Sequence, residues 1–221
     1  MDLPVAFDLR LQRHQLIRLF PSAWERLLTS QHGLVAELWL KKWADYHWPL
    51  IVRRPLPKET GGVSLGLPLP PSAGKQRIAL QVRRADIASV APLPSLLDVI
   101  RVTPQAWRSS LRQLAQLERL YHVRCGVFGS VAWQRLTGLD YLGPDSDLDV
   151  VWSLPHRTQM TEFLTRLAEI DSHAPMRIDG ELIREDGAGV NWRELHSGAS
   201  ELALKSWTGV RPCSVAAFVG S

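Results

Sequence analysis

Apolar residues follow two different patterns along the chain. Up to about residue 90 they come in short runs broken by Pro and Gly, and beyond residue 103 they recur at helical spacing between short apolar stretches. In the first part, Leu16, Ile17, Leu19 and Phe20 stand ahead of Pro21, and Ser22 is placed to cap a helix carrying Trp24, Leu27 and Leu28. The apolar stretch from Leu34 to Trp48 holds Trp39, Trp43 and Trp48, a cluster suited to a core or a domain contact. Residues 49–57, PLIVRRPLP, predict a short strand ending in Arg53-Arg54. Residues 61–72, GGVSLGLPLPPS, are too rich in Gly and Pro for a helix. Ile78 to Val82 is strand-like. Residues 1–90 therefore read as a small α+β module of strands and Pro-rich loops, bounded near Ala91-Pro92-Leu93-Pro94.

The second part, residues 91–221, has a different rhythm. Thr103-Pro104 predicts a helix start, with Thr as cap and Pro in the first position. Trp107, Leu111, Leu114, Leu117 and Leu120 then make one buried stripe. His122 to Phe128 predicts a strand, and a second runs from Asp149 through Trp152 to Pro155. A helix follows with Met160, Phe163, Leu164, Leu167 and Ile170 on one side, ending at His173-Ala174-Pro175. Met176 to Ile183 is strand-like, Asp186-Gly187 predicts a hairpin turn, and Val190 to Leu195 returns. The tail from Ser200 ends in an apolar strand or helix. This order predicts a mixed sheet flanked by helices, and an α+β class for the whole chain.

Composition narrows the function. With 221 residues, 45% hydrophobic and 22% charged, the chain can bury an ordinary globular core. Its two cysteines, Cys125 and Cys213, lack Cys-x-x-Cys spacing, which argues against a disulfide framework or zinc knuckle and suits a reducing cytosol. No run of 18 apolar residues predicts a membrane span, and charges interrupt the opening MDLPVAFDLRLQRHQ where a signal peptide would be apolar. A cytoplasmic protein is expected. The net charge of +4 suggests an anionic partner, which a phosphate-rich small molecule or an acidic protein explains as well as a nucleic acid does, and a solvated basic surface explains it equally. The basic residues are dispersed and do not alternate with aromatics, so a nucleic-acid binder is not expected.

The chemistry concentrates in GVFGSVAWQRLTGLDYLGPDSDLDVV, residues 126–151. Gly129-Ser130 falls where a strand turns into a helix. Glycine lets backbone approach a phosphate there, and the helix start offers unpaired N–H groups. Asp147 and Asp149 are one residue apart in an apolar run, so on a strand they face the same way. Two adjacent carboxylates need a cation, and oxygen-only ligands suit Mg²⁺. Asp179, in RIDGEL, is the natural third acid of a two-metal site. Simpler readings stand beside these. Gly-Ser before a helix can be only a cap, Ser146-Asp147 a turn, and Asp179-Gly180 a hairpin turn. Gly74-Lys75 lacks the GxxxxGK[ST] pattern of a phosphate-binding loop. Lys75, Arg77 and Lys205 are weaker candidates for compensating phosphate charge.

The Gly-Ser turn followed by Asp-Leu-Asp resembles the nucleotidyltransferase superfamily that includes DNA polymerase β, over residues 123–183. FGSVAWQRLTGLDYLGPDSDLDVVW, with VNWRELHSG downstream and GLPLPPSAGKQRIALQV upstream, resembles the phosphoribosyl-dephospho-CoA transferase of malonate decarboxylase. The resemblance implies a nucleotidyltransferase-like catalytic domain. It implies transfer from triphosphoribosyl-dephospho-CoA to a serine of the apo acyl-carrier subunit of malonate decarboxylase, with pyrophosphate leaving. Asp147, Asp149 and Asp179 would then be catalytic and hold Mg²⁺, and Gly129, Ser130, Lys75, Arg77 and Lys205 would bind the donor. The alternatives are another Mg²⁺-dependent nucleotidyltransferase, acting on a small molecule, protein or RNA end, or a non-catalytic nucleotide- or carrier-binding module.

Overall fold

The computed structural model describes residues 11–30 and 33–220. Five strands build a first, wholly antiparallel sheet: β1 (Leu16–Leu19), β2 (Leu50–Val52), β3 (Val63–Pro68), β4 (Arg77–Val82) and β5 (Ile87–Ala91), in the order β4-β3-β2-β1-β5. Two helices, α1 (Pro21–Thr29) and α2 (Leu34–Asp45), lie between β1 and β2 in the chain. Ser22 does not cap α1. Phe20 takes the cap position because Pro21, with φ preset and no N–H to satisfy, fits the first turn, and Ser22 falls inside the helix. In α2, Leu40 and Trp43 are buried, and the Trp43 indole donates to the Pro49 carbonyl at 3.0 Å. The GGVSLGLPLP stretch forms β3, paired with β4 from Val63↔Val82 to Pro68↔Arg77. The connection between them turns through left-handed backbone at Gly74 (φ 84°) and Lys75 (φ 54°).

The second sheet has six strands in the order β11-β10-β9-β8-β7-β6. They are β6 (Cys125–Val127), β7 (Leu148–Ser153), β8 (Ile178–Ile183), β9 (Gly189–Asn191), β10 (Glu201–Lys205) and β11 (Val210–Ser214). Its helices are α3 (Leu96–Val99), α4 (Arg108–Leu120), α5 (Gly129–Thr137), α6 (Met160–His173), α7 (Trp192–His196) and α8 (Val215–Val219). Within this sheet only β7 and β8 run parallel, as the crossover through α6 requires, so the sheet is mixed and the fold α+β. Phe163 of α6 packs edge-on against Trp152 of β7 and against Tyr121, with ring centres 5.5 Å apart in both cases.

Three further local expectations change. Thr103 does not cap the long helix. Its hydroxyl donates back to the Ile100 carbonyl at 3.1 Å, and a single 3₁₀ turn, Gln105–Trp107, leads into α4. The returning strand expected up to Leu195 stops at Asn191, whose side chain accepts from the Arg193 N–H at 2.9 Å and starts α7. Strand β5 and the short helix α3 flank Pro92-Leu93-Pro94, where only a module boundary was expected. Ser95 and Asp98 cap α3 reciprocally.

Each sheet has its own apolar core, and the two meet. Trp133 of α5 packs into the first core with its ring 6.2 Å from Trp43, and the Tyr141 hydroxyl donates to the Pro68 carbonyl at 2.9 Å. The second module thus inserts two aromatic residues into the first. Among the described residues no helix is long and apolar enough to cross a membrane.

Candidate active site

Strand β6 ends at Val127, and the Phe128 N–H donates to the Asp149 carbonyl at 3.0 Å. The chain then turns through Gly129, φ 65°, into α5. A Cβ at this position would stand 1.8 Å from Oδ2 of Asp149 and 2.6 Å from its Cγ. Position 129 therefore needs glycine for its backbone angle and for the space. The Asp149 carboxylate lies directly over the start of α5, with Ser130 the next residue.

Asp149 lies in β7, and Asp147 just precedes that strand. Both line a cavity of about 710 Å³ between the two modules. Gly129 and Ser130 share their side of it. Lys75 and Arg77, at the β3–β4 turn, come from the first module, as do Arg13 and His14, and Glu181 and Lys205 complete the wall. Seven of the eight residues expected to form a site thus meet at one cavity. Asp179 is outside that lining. It is the parallel-register partner of Asp149, and it accepts from Asn191 Nδ2 at 3.1 Å and lies 3.8 Å from Arg177.

Burial pushes the Asp149 carboxyl up to about 6, and the negative charges of Asp179 and Asp147 push in the same direction; Arg77 and Lys75 partly offset them. The acidic side of the cavity is therefore short of positive charge. Among the described residues no three His, Cys, Asp or Glu side chains form a ready-made metal cage. Asp147 and Asp149 fit a smaller role, as an oxygen pair for a cation that takes its other ligands from water and substrate phosphates, which is how Mg²⁺ commonly binds.

Lys205 reaches the wall, but its ammonium lies on Glu181 Oε1 at 2.7 Å, so it is not available to a phosphate as it stands. Arg13, His14 and Glu181 are among the lining residues that went unrecognised in the sequence. Glu181 carried a signal, because it follows Asp179 by two residues in an apolar strand and so shares its face. Arg13 and His14 carried none, because their contacts with Glu181 and Phe128 cross more than 110 positions of chain.

His14 sits on left-handed backbone, φ 70°, with its N–H donating to the Val52 carbonyl at 3.1 Å and its ring 4.5 Å from Phe128. Burial, helped by the Arg13 charge, lowers its pKa to about 4. The unfolded chain takes up that proton near 6.5, so between pH 6.5 and 4 the unfolded state binds more protons and the fold loses stability as pH falls. His14→Asn, a residue that tolerates positive φ, should remove up to about 2–3 kcal/mol of this loss. Urea denaturation of both proteins at pH 7 and pH 4.5 measures it. Equal pH dependence in the two would refute the burial of a neutral imidazole.

Comparison with known proteins follows the two modules. Residues 12–92 match the family model described as the phosphoribosyl-dephospho-CoA transferase MdcG N-terminal domain, and residues 95–216 match that of its C-terminal domain. A phosphoribosyl-dephospho-CoA transferase of Bradyrhizobium diazoefficiens is 48% identical over 194 residues, covering 88% of this chain and 86% of its own. One of Xanthomonas campestris pv. campestris is 38% identical over 200 residues, covering 90% and 92%. One of Pseudomonas putida is 31% identical over 163 residues, covering 74% and 77%. No solved structure matches significantly. The matches define a transferase enzyme. The chain belongs to the phosphoribosyl-dephospho-CoA transferase family.

Proposed function

We propose that this enzyme transfers the 2′-(5″-phosphoribosyl)-3′-dephospho-CoA group from its triphosphoribosyl donor to a serine of the apo acyl-carrier subunit of malonate decarboxylase, in the cytoplasm. The observation that carries the reading is the cavity itself. The second module lines it with Asp147 and Asp149 beside the Gly129-Ser130 helix start, and the first module lines it with Lys75 and Arg77. Such a site suits a polyphosphate held between fixed cations and a carboxylate pair. Matches over most of the chain to relatives that carry the transferase name support the donor.

In this reading the serine oxygen attacks the phosphorus that bears the ribose. The new P–O bond forms as the bond to the leaving pyrophosphate breaks, and the product is a phosphodiester. Lys75, Arg77 and the N–H groups at Gly129-Ser130 orient the triphosphate and take up charge on the departing oxygens. Asp179, next to Asp149 in the sheet though off the cavity lining, is the acid we assign to accept the serine proton. Asp147 and Asp149, with Asp179 adjoining, would hold Mg²⁺, which when bound supplies charge neutralisation at the triphosphate and acidifies the attacking hydroxyl.

Release of pyrophosphate tests the donor. One pyrophosphate per carrier is expected with the triphosphoribosyl donor and Mg²⁺, and none when the carrier serine is replaced by alanine. Ordinary nucleoside triphosphates should give no useful turnover. Comparable turnover with them would favour a nucleotidyltransferase of broader substrate range and overturn this reading.

A further inference from the structure

Glu181 is 7% exposed, yet both its carboxylate oxygens are occupied by cations. Oε2 accepts from Arg13 Nη2 and Oε1 from Lys205 Nζ, each at 2.7 Å. Arg13 comes from the first module, whereas Glu181 and Lys205 lie in the second sheet. A carboxylate this deep is tolerated only when it is paired, and here the pairing joins one module to the other at the cavity. Glu181 also follows Asp179 by two residues on β8, so the contact anchors on the same strand face as the acids.

Of the cavity's cations, Arg53 is held by Glu59 and Arg54 donates to the Ser206 carbonyl, and the other four lysines and arginines fall into two sets. Arg13 and Lys205 are held by Glu181. Lys75 and Arg77 have no ion-pair partner among the described residues, and it is their charge that acts on Asp149. They project from the β3–β4 turn of the first module, so their distance from Asp149 depends on how that module sits on the second sheet.

We propose that Glu181 is a positioning residue: by clamping Arg13 it fixes the first module so that Lys75 and Arg77 stand over Asp149. Its role is to place the cations that receive the donor triphosphate, not to touch the donor. This rests on the function proposed above.

Glu181→Gln and Arg13→Met test it, the second with less risk to folding. Each should raise KM for the triphosphoribosyl donor about tenfold while changing kcat less than about threefold, the pattern of lost ground-state binding. Lys75→Ala/Arg77→Ala should also raise KM. Combined with Arg13→Met it should give far less than the product of the separate effects, because misplaced cations have little left to contribute. A purely structural Glu181 would give independent, multiplicative effects. Amide exchange without any substrate supplies a separate readout: exchange should rise at Val52 and Gln15, next to the Arg13 segment, and stay unchanged in α4 and α6. Wild-type KM in Arg13→Met, or unchanged exchange in both variants, would overturn the proposal. If the wild-type enzyme does not use the donor, the functional reading fails, and the exchange measurement still decides the clamp.

Discussion

Asp149→Asn loses transfer by about a thousandfold or more in kcat/KM, and in the absence of divalent cation the variant is more stable than the wild type at pH 8. Both halves follow from one carboxyl. Its pKa is pushed up to about 6 from 3.8 by burial and by the neighbouring acids, so ionising it in the native state is unfavourable. Between those two values the native state binds more protons than the unfolded state. Stability therefore declines as pH rises from about 4 to about 6, and the deficit persists above that range. Asparagine keeps the shape and removes the charge. A gain of about 1–3 kcal/mol is expected, at the lower end if water screens the site. Mg²⁺ should cancel the advantage by stabilising only the wild type. Thermal melts with EDTA and with Mg²⁺, alongside transfer assays, measure all of this. A variant that is inactive but no more stable would contradict the charge account. One that is active would contradict the site. His14 acts in the opposite sense over much of the same pH window, so each effect is read as a difference between variant and wild type rather than from the wild-type curve alone.

Gly129→Ala is the second large effect. The new methyl would stand 1.8 Å from an Asp149 oxygen, on backbone at φ 65° that L-residues rarely adopt. Either the α5 start or the Asp149 side chain must move. Left-handed backbone alone costs alanine about 1–2 kcal/mol. The displaced carboxylate should lower kcat by about a hundredfold, in line with a catalytic group moved by an ångström. Gly138→Ala is the control. It too has positive φ, 71°, but its Cβ meets nothing within 4 Å, so it should cost stability and spare activity. Equal activity losses in the two variants would show that backbone strain, not the Asp149 contact, is responsible.

The acidic side of the cavity was legible in the sequence because its parts are local. A glycine at a strand-to-helix turn and two acids at spacing two, one just ahead of a strand and one in it, are short-range patterns, and the sheet needs only adjacent strands to assemble them. Asp179 was legible as the acid of the next strand, and parallel register sets it beside Asp149, though off the cavity lining. The buried Trp43 and Trp48 answer to the aromatic spacing. What the sequence hid is long-range. Arg13 meets Glu181 across 168 positions, and no periodicity marks such a pair. Lys205 looked like a free cation, and only the fold shows the carboxylate that occupies it. Strand β5 was hidden for a different reason. It is an edge strand with much of its surface exposed, so the burial alternation that betrays a half-buried strand is absent.

Mass spectrometry of the apo acyl-carrier subunit, after incubation with the enzyme, triphosphoribosyl-dephospho-CoA and Mg²⁺, tests the central claim most directly. The account predicts a single mass increase equal to the phosphoribosyl-dephospho-CoA group, located on one serine and absent with Asp149→Asn. An unmodified carrier in the presence of active, folded enzyme would contradict it.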